Sequence, residues 1–235
     1  MNRPACVIDV ETTGLCPFMG YGMVQFAMIA FDLADPDLKV QWSLDIKINP
    51  DTLEDLQVSQ EALKFSGKVY EQAKETGFDA SAAAIKIWEA LCSVAPFKMI
   101  PFGQNTTFDL NFTRCHLMKY LPIDYLIDGG YNPYVSTMRN YETAIVASKN
   151  SPWSPQAELL TNWDFLPWSR RYYDLQSMAI GIWHSDPSMT SFSLNSISKK
   201  LKIIVDDRPD DHDALHDCKL TLANLRQLKK AKIIA

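Results

Sequence analysis

Pro4-Ala5-Cys6-Val7-Ile8-Asp9-Val10-Glu11-Thr12-Thr13-Gly14 is the stretch on which the reading of the fold turns. Its first half is apolar and β-branched and it ends on a Thr-Thr-Gly breaker, so it reads as a strand. Asp9 and Glu11 stand two apart within it. Period-two geometry turns both side chains to one face of the strand. Adjacent carboxylates repel unless a cation lies between them, and their oxygens suit Mg²⁺ or Mn²⁺. A strand end reaching solvent carries the same pair without any metal, so the pair alone leaves both readings open.

Working outward, Val24 to Leu33 forms a second apolar run and Gln41 to Ile48 alternates as a third strand. Three strands in succession predict an antiparallel meander before the first helix. Ser59-Gln60-Glu61-Ala62-Leu63 predicts a short helix ending near Gly67, and Asp79 caps a clearer one over Ala80 to Val94. Lys98 to Phe102 reads as a buried strand turning at Gly103, and Gln104 to Tyr120 as a helix. Further helices are expected at Asp174 to Trp183, at Leu194 to Leu201, and from about Asp213 to Lys230, the last with basic residues at the end where the helix dipole favours them. Leu121 to Arg170 is rich in Pro, Trp, Tyr and Asn with weak periodicity. Stretches of that length inside a compact domain usually carry function or a partner contact. An insertion at about 121–171, holding a protein partner or a second copy, is therefore the expectation.

Two more clusters bear chemistry. Asn105-Thr106-Thr107-Phe108-Asp109 opens the helix after the buried strand, and Asn105 and Asp109, four apart, share a helix face. Simple capping by Asn105, with Asp109 at the positive helix end, explains the same residues. His212-Asp213-Ala214-Leu215-His216-Asp217 is the other. Five residues turn an α-helix by about 140°, so His212 and Asp217 converge on one ligand only if His212 sits in the loop entering the helix. A loop histidine and a surface aspartate remain the plainer alternative. Arg170 and Arg171 beside Tyr172 and Tyr173, and Lys199, Lys200 and Lys202, are basic groups that serve either as solvated surface or as a strand-binding track.

A chain of 235 residues is long enough for one well-filled α/β domain, and 47% hydrophobic with 22% charged residues is a globular balance. No apolar run reaches the length of a membrane span, and the first strand begins without the apolar core of a secretory signal. The five cysteines, Cys6, Cys16, Cys92, Cys115 and Cys218, are odd in number and lack zinc-ligand spacing. A reducing, cytoplasmic location and buried packing for Cys218 are expected. The net charge of −5 argues against a protein that coats nucleic acid by charge alone. Setting aside the carboxylates of Asp9, Glu11, Asp109 and Asp217 leaves the remainder near neutral.

Taken together and in order, these clusters resemble the three motifs of the DEDDh exonucleases of the ribonuclease H-like superfamily. Val7 to Leu15 is similar to the first motif almost residue for residue, Gln104 to Asp109 to the second, and His212, Ala214 and Asp217 to the third. Tyr173-Asp174-Leu175 and Ser193 to Ile197 are similar to the intervening helices. Residues 121–170 fall outside the resemblance. Two positions depart from the pattern, Gln104 where many members have His and Gln25 where many have Glu.

The resemblance implies a single α/β domain, 1–235, built on a mixed five-stranded sheet, an antiparallel meander followed by parallel strands, flanked by helices. It also implies a 3′→5′ exonuclease releasing nucleoside 5′-monophosphates, with Asp9, Glu11, Asp109 and Asp217 holding two Mg²⁺ or Mn²⁺ ions and Asp9 bridging them. His212 is then the general base, an imidazole being suited to take a proton from water; His216 is the rival. Thr12, Thr13, Gly14 and Leu15, with Asn105 and Phe108, would contact the terminal nucleotide. Single-stranded DNA ends are the favoured substrate, short RNA the alternative, and a non-catalytic binding module the reading from another class.

Overall fold

In a computed structural model of the chain, residues 1–94, 97–122, 125, 168–169, 171–204 and 212–233 are described. Most of the expected insertion at 121–171, including Arg170, lies outside the described residues.

Five strands form one sheet in the order β3-β2-β1-β4-β5: β1 (Pro4–Thr12), β2 (Met23–Asp32), β3 (Val40–Lys47), β4 (Ile100–Gly103) and β5 (Tyr173–Asp174). β1 pairs antiparallel with β2, and β2 with β3, which is the expected meander. β4 and β5 then add in parallel on the other side of β1. The expected mixed five-stranded sheet, an antiparallel meander followed by parallel strands, is thus observed. The fifth strand has two residues, pairing Phe102 with Tyr173 and Gly103 with Asp174, too few for any period to mark.

Alternation along the strands divides the core in two. Cys6, Ile8 and Val10 of β1 join Phe26, Met28 and Ala30 of β2 on one face. They pack under α2 (Ala80–Cys92) through Ile87, Trp88 and Leu91, and under α3 (Thr106–Tyr120) through Phe112 and Leu117. Ala5, Val7, Ala27 and Ile29 point to the opposite face. They meet α4 (Leu175–Trp183), α5 (Leu194–Lys200) and α6 (Ala214–Lys230) through Leu175, Ile197, Ala214 and Leu222. Cys218 is buried in that second layer, its thiol 3.5 Å from the Ala27 carbonyl oxygen. Side-chain caps start these helices where the sequence has the residues for them. Asp79 accepts from the Ala82 amide, Asp174 from Ser177, Ser193 from Ser196 and Asp213 from His216.

α1 departs from expectation. It runs over Gln60–Thr76, well past the predicted stop at Gly67. Glycine inside a helix costs about 1 kcal/mol relative to alanine. Burial of Ser66, Val69 and Ala73 along one side outweighs that penalty. Among the described residues no helix is long and apolar enough to cross a membrane.

Candidate active site

The chain crosses from one side of β1 to the other between β3 and β4, so the connections diverge at the carboxyl ends of β1 and β4. Open α/β sheets bind ligands at such a point. A cleft of about 390 Å³ opens there.

β1 supplies its floor. Asp9 and Glu11 follow Ala5 and Val7 in the odd-numbered register, hence on the face covered by α6, and both line the cleft. Asp109 arrives from elsewhere, in the first turn of α3, and reaches the cleft beside Gly103. A methyl group at Gly103 would stand 2.9 Å from Asp109 Oδ2 and 3.1 Å from Thr106 Oγ1, so only glycine leaves room for this approach. The start of α3 is held by its neighbour. The Thr106 amide donates to Asp174 Oδ2 at 3.1 Å, and Thr106 Oγ1 donates to the Tyr173 carbonyl at 2.7 Å. α6 brings Asp217 in its first turn. His212, just ahead of the helix, also lines the cleft, with Nδ1 3.7 Å from Asp217 Oδ2. The His212 amide donates to the Phe65 carbonyl at 2.8 Å and the two rings meet edge to face at 5.6 Å. His216 does not line the cleft, and its Nε2 is buried without a hydrogen-bond partner.

Burial pushes the Asp109 carboxyl well above the usual carboxylate range. Backbone hydrogen bonds from Val10 and from its own amide oppose that, while the Asp174 and Asp217 carboxylates add to it. Asp109 Oδ2 is buried without a hydrogen-bond partner. Among the described residues no three His, Cys, Asp or Glu side chains are gathered closely enough to hold a metal ion as they are placed. The donor set nevertheless fits one. Asp9, Glu11, Asp109 and Asp217 line a single cleft, all their donors are oxygens, and the orphaned Asp109 Oδ2 is the acceptor that a divalent cation would satisfy. Four carboxylates round one cleft repel one another, and a cation among them reverses the sign.

Thr12 at the end of β1, and Gly14 and the 85% exposed Leu15 of the loop after it, line the cleft, and so do Asn105 and Phe108. Thr13 does not. Its hydroxyl is turned inward, donating to the Gln57 carbonyl at 2.7 Å and accepting from the Gly22 amide at 2.9 Å, so this side chain braces the loop. Gly14 lacks a side chain because a Cβ there would stand 2.2 Å from the Tyr21 ring. Phe108 is partly buried and packs on Phe112 with ring centroids 4.8 Å apart.

Several lining residues have no site role in the sequence reading. Ala62, Phe65 and Ser66 come from α1, where Ser66 Oγ donates to the Thr12 carbonyl at 3.2 Å. Ser193 and Leu194 come from the start of α5. Gln104 also faces the cleft and ties this wall together, its Nε2 donating to the Phe192 carbonyl at 2.8 Å.

No protein-family model matches the chain, and no curated protein does. Solved structures do. Escherichia coli exonuclease I in complex with a dA16 oligonucleotide superposes with a TM-score of 0.61 at 19% identity, over 97% of this chain and 41% of that one. Exonuclease I of Methylocaldum szegediense gives 0.63 at 19% identity, over 98% and 41%. Cell-death related nuclease 4 (CRN-4) gives 0.61 at 13% identity, over 97% and 64%. The chain therefore spans about two fifths of the length of the exonuclease I structures. At these identities the likeness establishes a shared fold, the mixed five-stranded sheet with helices on both faces.

Proposed function

We propose that the chain is a metal-dependent 3′→5′ exonuclease that hydrolyses phosphodiester bonds at the 3′ ends of single-stranded nucleic acid, DNA favoured, and releases nucleoside 5′-monophosphates. The observation that carries this reading is the convergence of Asp9, Glu11, Asp109, Asp217 and His212 on one cleft. The fold likeness to an exonuclease solved in complex with a dA16 oligonucleotide supports it.

Asp9, Glu11, Asp109 and Asp217 would hold two Mg²⁺ or Mn²⁺ ions, which when bound supply an activated water and charge relief on the phosphate and the departing 3′ oxygen. His212 supplies the proton acceptor. Its Nδ1 faces the Asp217 carboxylate, so Nε2 is the atom free to take the proton of the attacking water. The Asp217 charge then stabilises the imidazolium. Water oxygen bonds to phosphorus as its proton passes to His212, the bond from phosphorus to the 3′ oxygen breaks, and that oxygen takes a proton from solvent to become the new 3′ hydroxyl while His212 returns its own to solvent. Leu15 and Phe65, both largely exposed at the cleft, offer apolar surface to the terminal base.

The test is to incubate the protein with matched, 5′-labelled single-stranded DNA and RNA in Mg²⁺, in Mn²⁺ and in chelator. A ladder shortening from the 3′ end, faster on DNA and absent in chelator, is the expected result. Faster shortening of RNA moves the substrate assignment, and no cleavage under any metal overturns the reading in favour of a binding module. His212→Ala is expected to bind Mn²⁺ in calorimetric titration as the parent does while kcat falls by about 10²–10⁴-fold. Near-normal turnover would remove His212 from the mechanism.

A further inference from the structure

Gln25 occupies a position where β2 otherwise carries apolar side chains. Val24 and Phe26 flank it, and it is as fully buried as they are. The register sets it opposite Glu11 on β1 and opposite Lys47 on β3. A buried carboxamide must place its donors and acceptor or cost stability. Here Nε2 donates to Asp45 Oδ1 at 2.8 Å and to Asp213 Oδ2 at 3.2 Å, and Oε1 accepts from the Ala214 amide at 3.1 Å. Asp213 is the N-cap of α6 and Ala214 its first residue. The first amides of a helix have no partner within it, so one strand side chain both satisfies the opening amide of α6 and holds its capping carboxylate. His212 immediately precedes that cap, and Asp217 lies three residues beyond Ala214.

We infer that Gln25 is a positioning residue for the reaction proposed above: by clamping the first turn of α6 to the sheet beside Glu11, it sets His212 and Asp217 against Asp9 and Glu11. The inference rests on the exonuclease reading, in which those four groups act together. A displacement of about 1 Å in such a constellation can cost about 10²-fold in rate. The amide is chosen over an acid for a reason of charge. The groups facing it are the carboxylates of Asp45 and Asp213, with Glu11 across the ladder, and one cation, Lys47, 3.9 Å from Asp45. Glutamate would turn a double donor into another carboxylate among these. The signal was present in the sequence as a polar residue inside an apolar strand.

Three variants test the clamp. Gln25→Met removes its donors and acceptor at similar volume. Gln25→Glu keeps the acceptor for Ala214 and reverses the polarity toward Asp45. Gln25→Glu combined with Asp45→Asn returns a donor to face the new carboxylate, and keeps a polar pair if the methionine variant fails to fold. kcat and KM are measured on a labelled single-stranded oligonucleotide with Mn²⁺, and amide hydrogen exchange is followed along α6. The single variants are expected to lower kcat by about 10–100-fold with KM changed less than about twofold. Exchange should quicken at Ala214 and its neighbours while Leu222 to Leu228 stay protected. The double variant should recover most of the lost kcat. A double variant as slow as Gln25→Glu, or protection lost evenly along the helix, would make Gln25 a core-packing residue and overturn the inference. A parent protein that cleaves nothing defeats the exonuclease reading; in that case unchanged exchange at Ala214 in Gln25→Met defeats the clamp separately.

Discussion

Asp109 is expensive where it stands. Its carboxyl is buried, pushed upward by that burial and by the Asp174 and Asp217 carboxylates, and Oδ2 has no hydrogen-bond partner. A group in that condition is kept for what it does, since it destabilises the fold. Asn has the same shape without the charge. Asp109→Asn is expected to abolish cleavage while raising stability in chelator by roughly 1–3 kcal/mol, because the amide carries no charge to bury beside Asp174 and Asp217. In a chain of this length that is about 2–4 °C in Tm per kcal/mol. Thermal unfolding and a cleavage assay on the same preparation decide it; a lower Tm would mean that the carboxylate is well paired. Thr13 makes the opposite point. Sequence reading groups it with Thr12, Gly14 and Leu15, but its hydroxyl is spent on Gln57 and Gly22. Which of two adjacent threonines faces a ligand is decided by partners 9 and 44 residues away, and no local pattern encodes that.

At the scale of elements, legibility follows the length of the pattern. β1 and its meander partners show themselves because a largely apolar run in β1 and β2, and an alternation in β3, extends over eight to ten residues. β5, with two residues, shows nothing. Gly67 reads as a stop signal for α1, but buried Val69 and Ala73 carry the helix on to Thr76. Phe65 and Ser66, ahead of that glycine, wall the cleft from the same helix. The motif residues are legible because chemistry fixes their type. Phe65, Ser193 and Leu194 are not, because only the fold brings them to Asp9. The same glycine supplies a test. A Cβ at Gly67 would meet nothing within 4 Å and the backbone there is helical. Gly67→Ala is thus expected to raise stability by about 0.5–1 kcal/mol, read from the urea midpoint, with cleavage unchanged. A destabilised variant would show that α1 needs a flexible point there.

The whole molecule is two cores on either side of one sheet, with the cleft at the carboxyl ends of β1 and β4, and α3 joins these parts. Asp109 opens that helix at the cleft, and two turns later His116 is sunk in the core, Nε2 3.1 Å from the Ala80 carbonyl at the start of α2. Burial drives the His116 pKa from 6.5 down to about 4, against a smaller opposing effect of the Ala80 hydrogen bond. The sign follows directly. Between pH 6.5 and 4 the unfolded chain binds a proton at this ring that the folded protein refuses, so stability present above pH 6.5 is lost as the pH falls toward 4. At about 1.4 kcal/mol per unit the loss is of the order of 3 kcal/mol, a large part of the roughly 5–15 kcal/mol that holds a typical domain together. Asp109, whose pKa is raised, works in the opposite direction, so the raw pH profile mixes the two. The difference between the parent and His116→Gln separates them, because Asp109 is common to both. Urea unfolding at pH 7, 5.5 and 4 is expected to show the parent's advantage over His116→Gln shrinking by about 3 kcal/mol across that interval. An advantage that stays constant with pH would mean that His116 takes up its proton in the folded core, and that the joint between α2 and α3 opens to water as a unit.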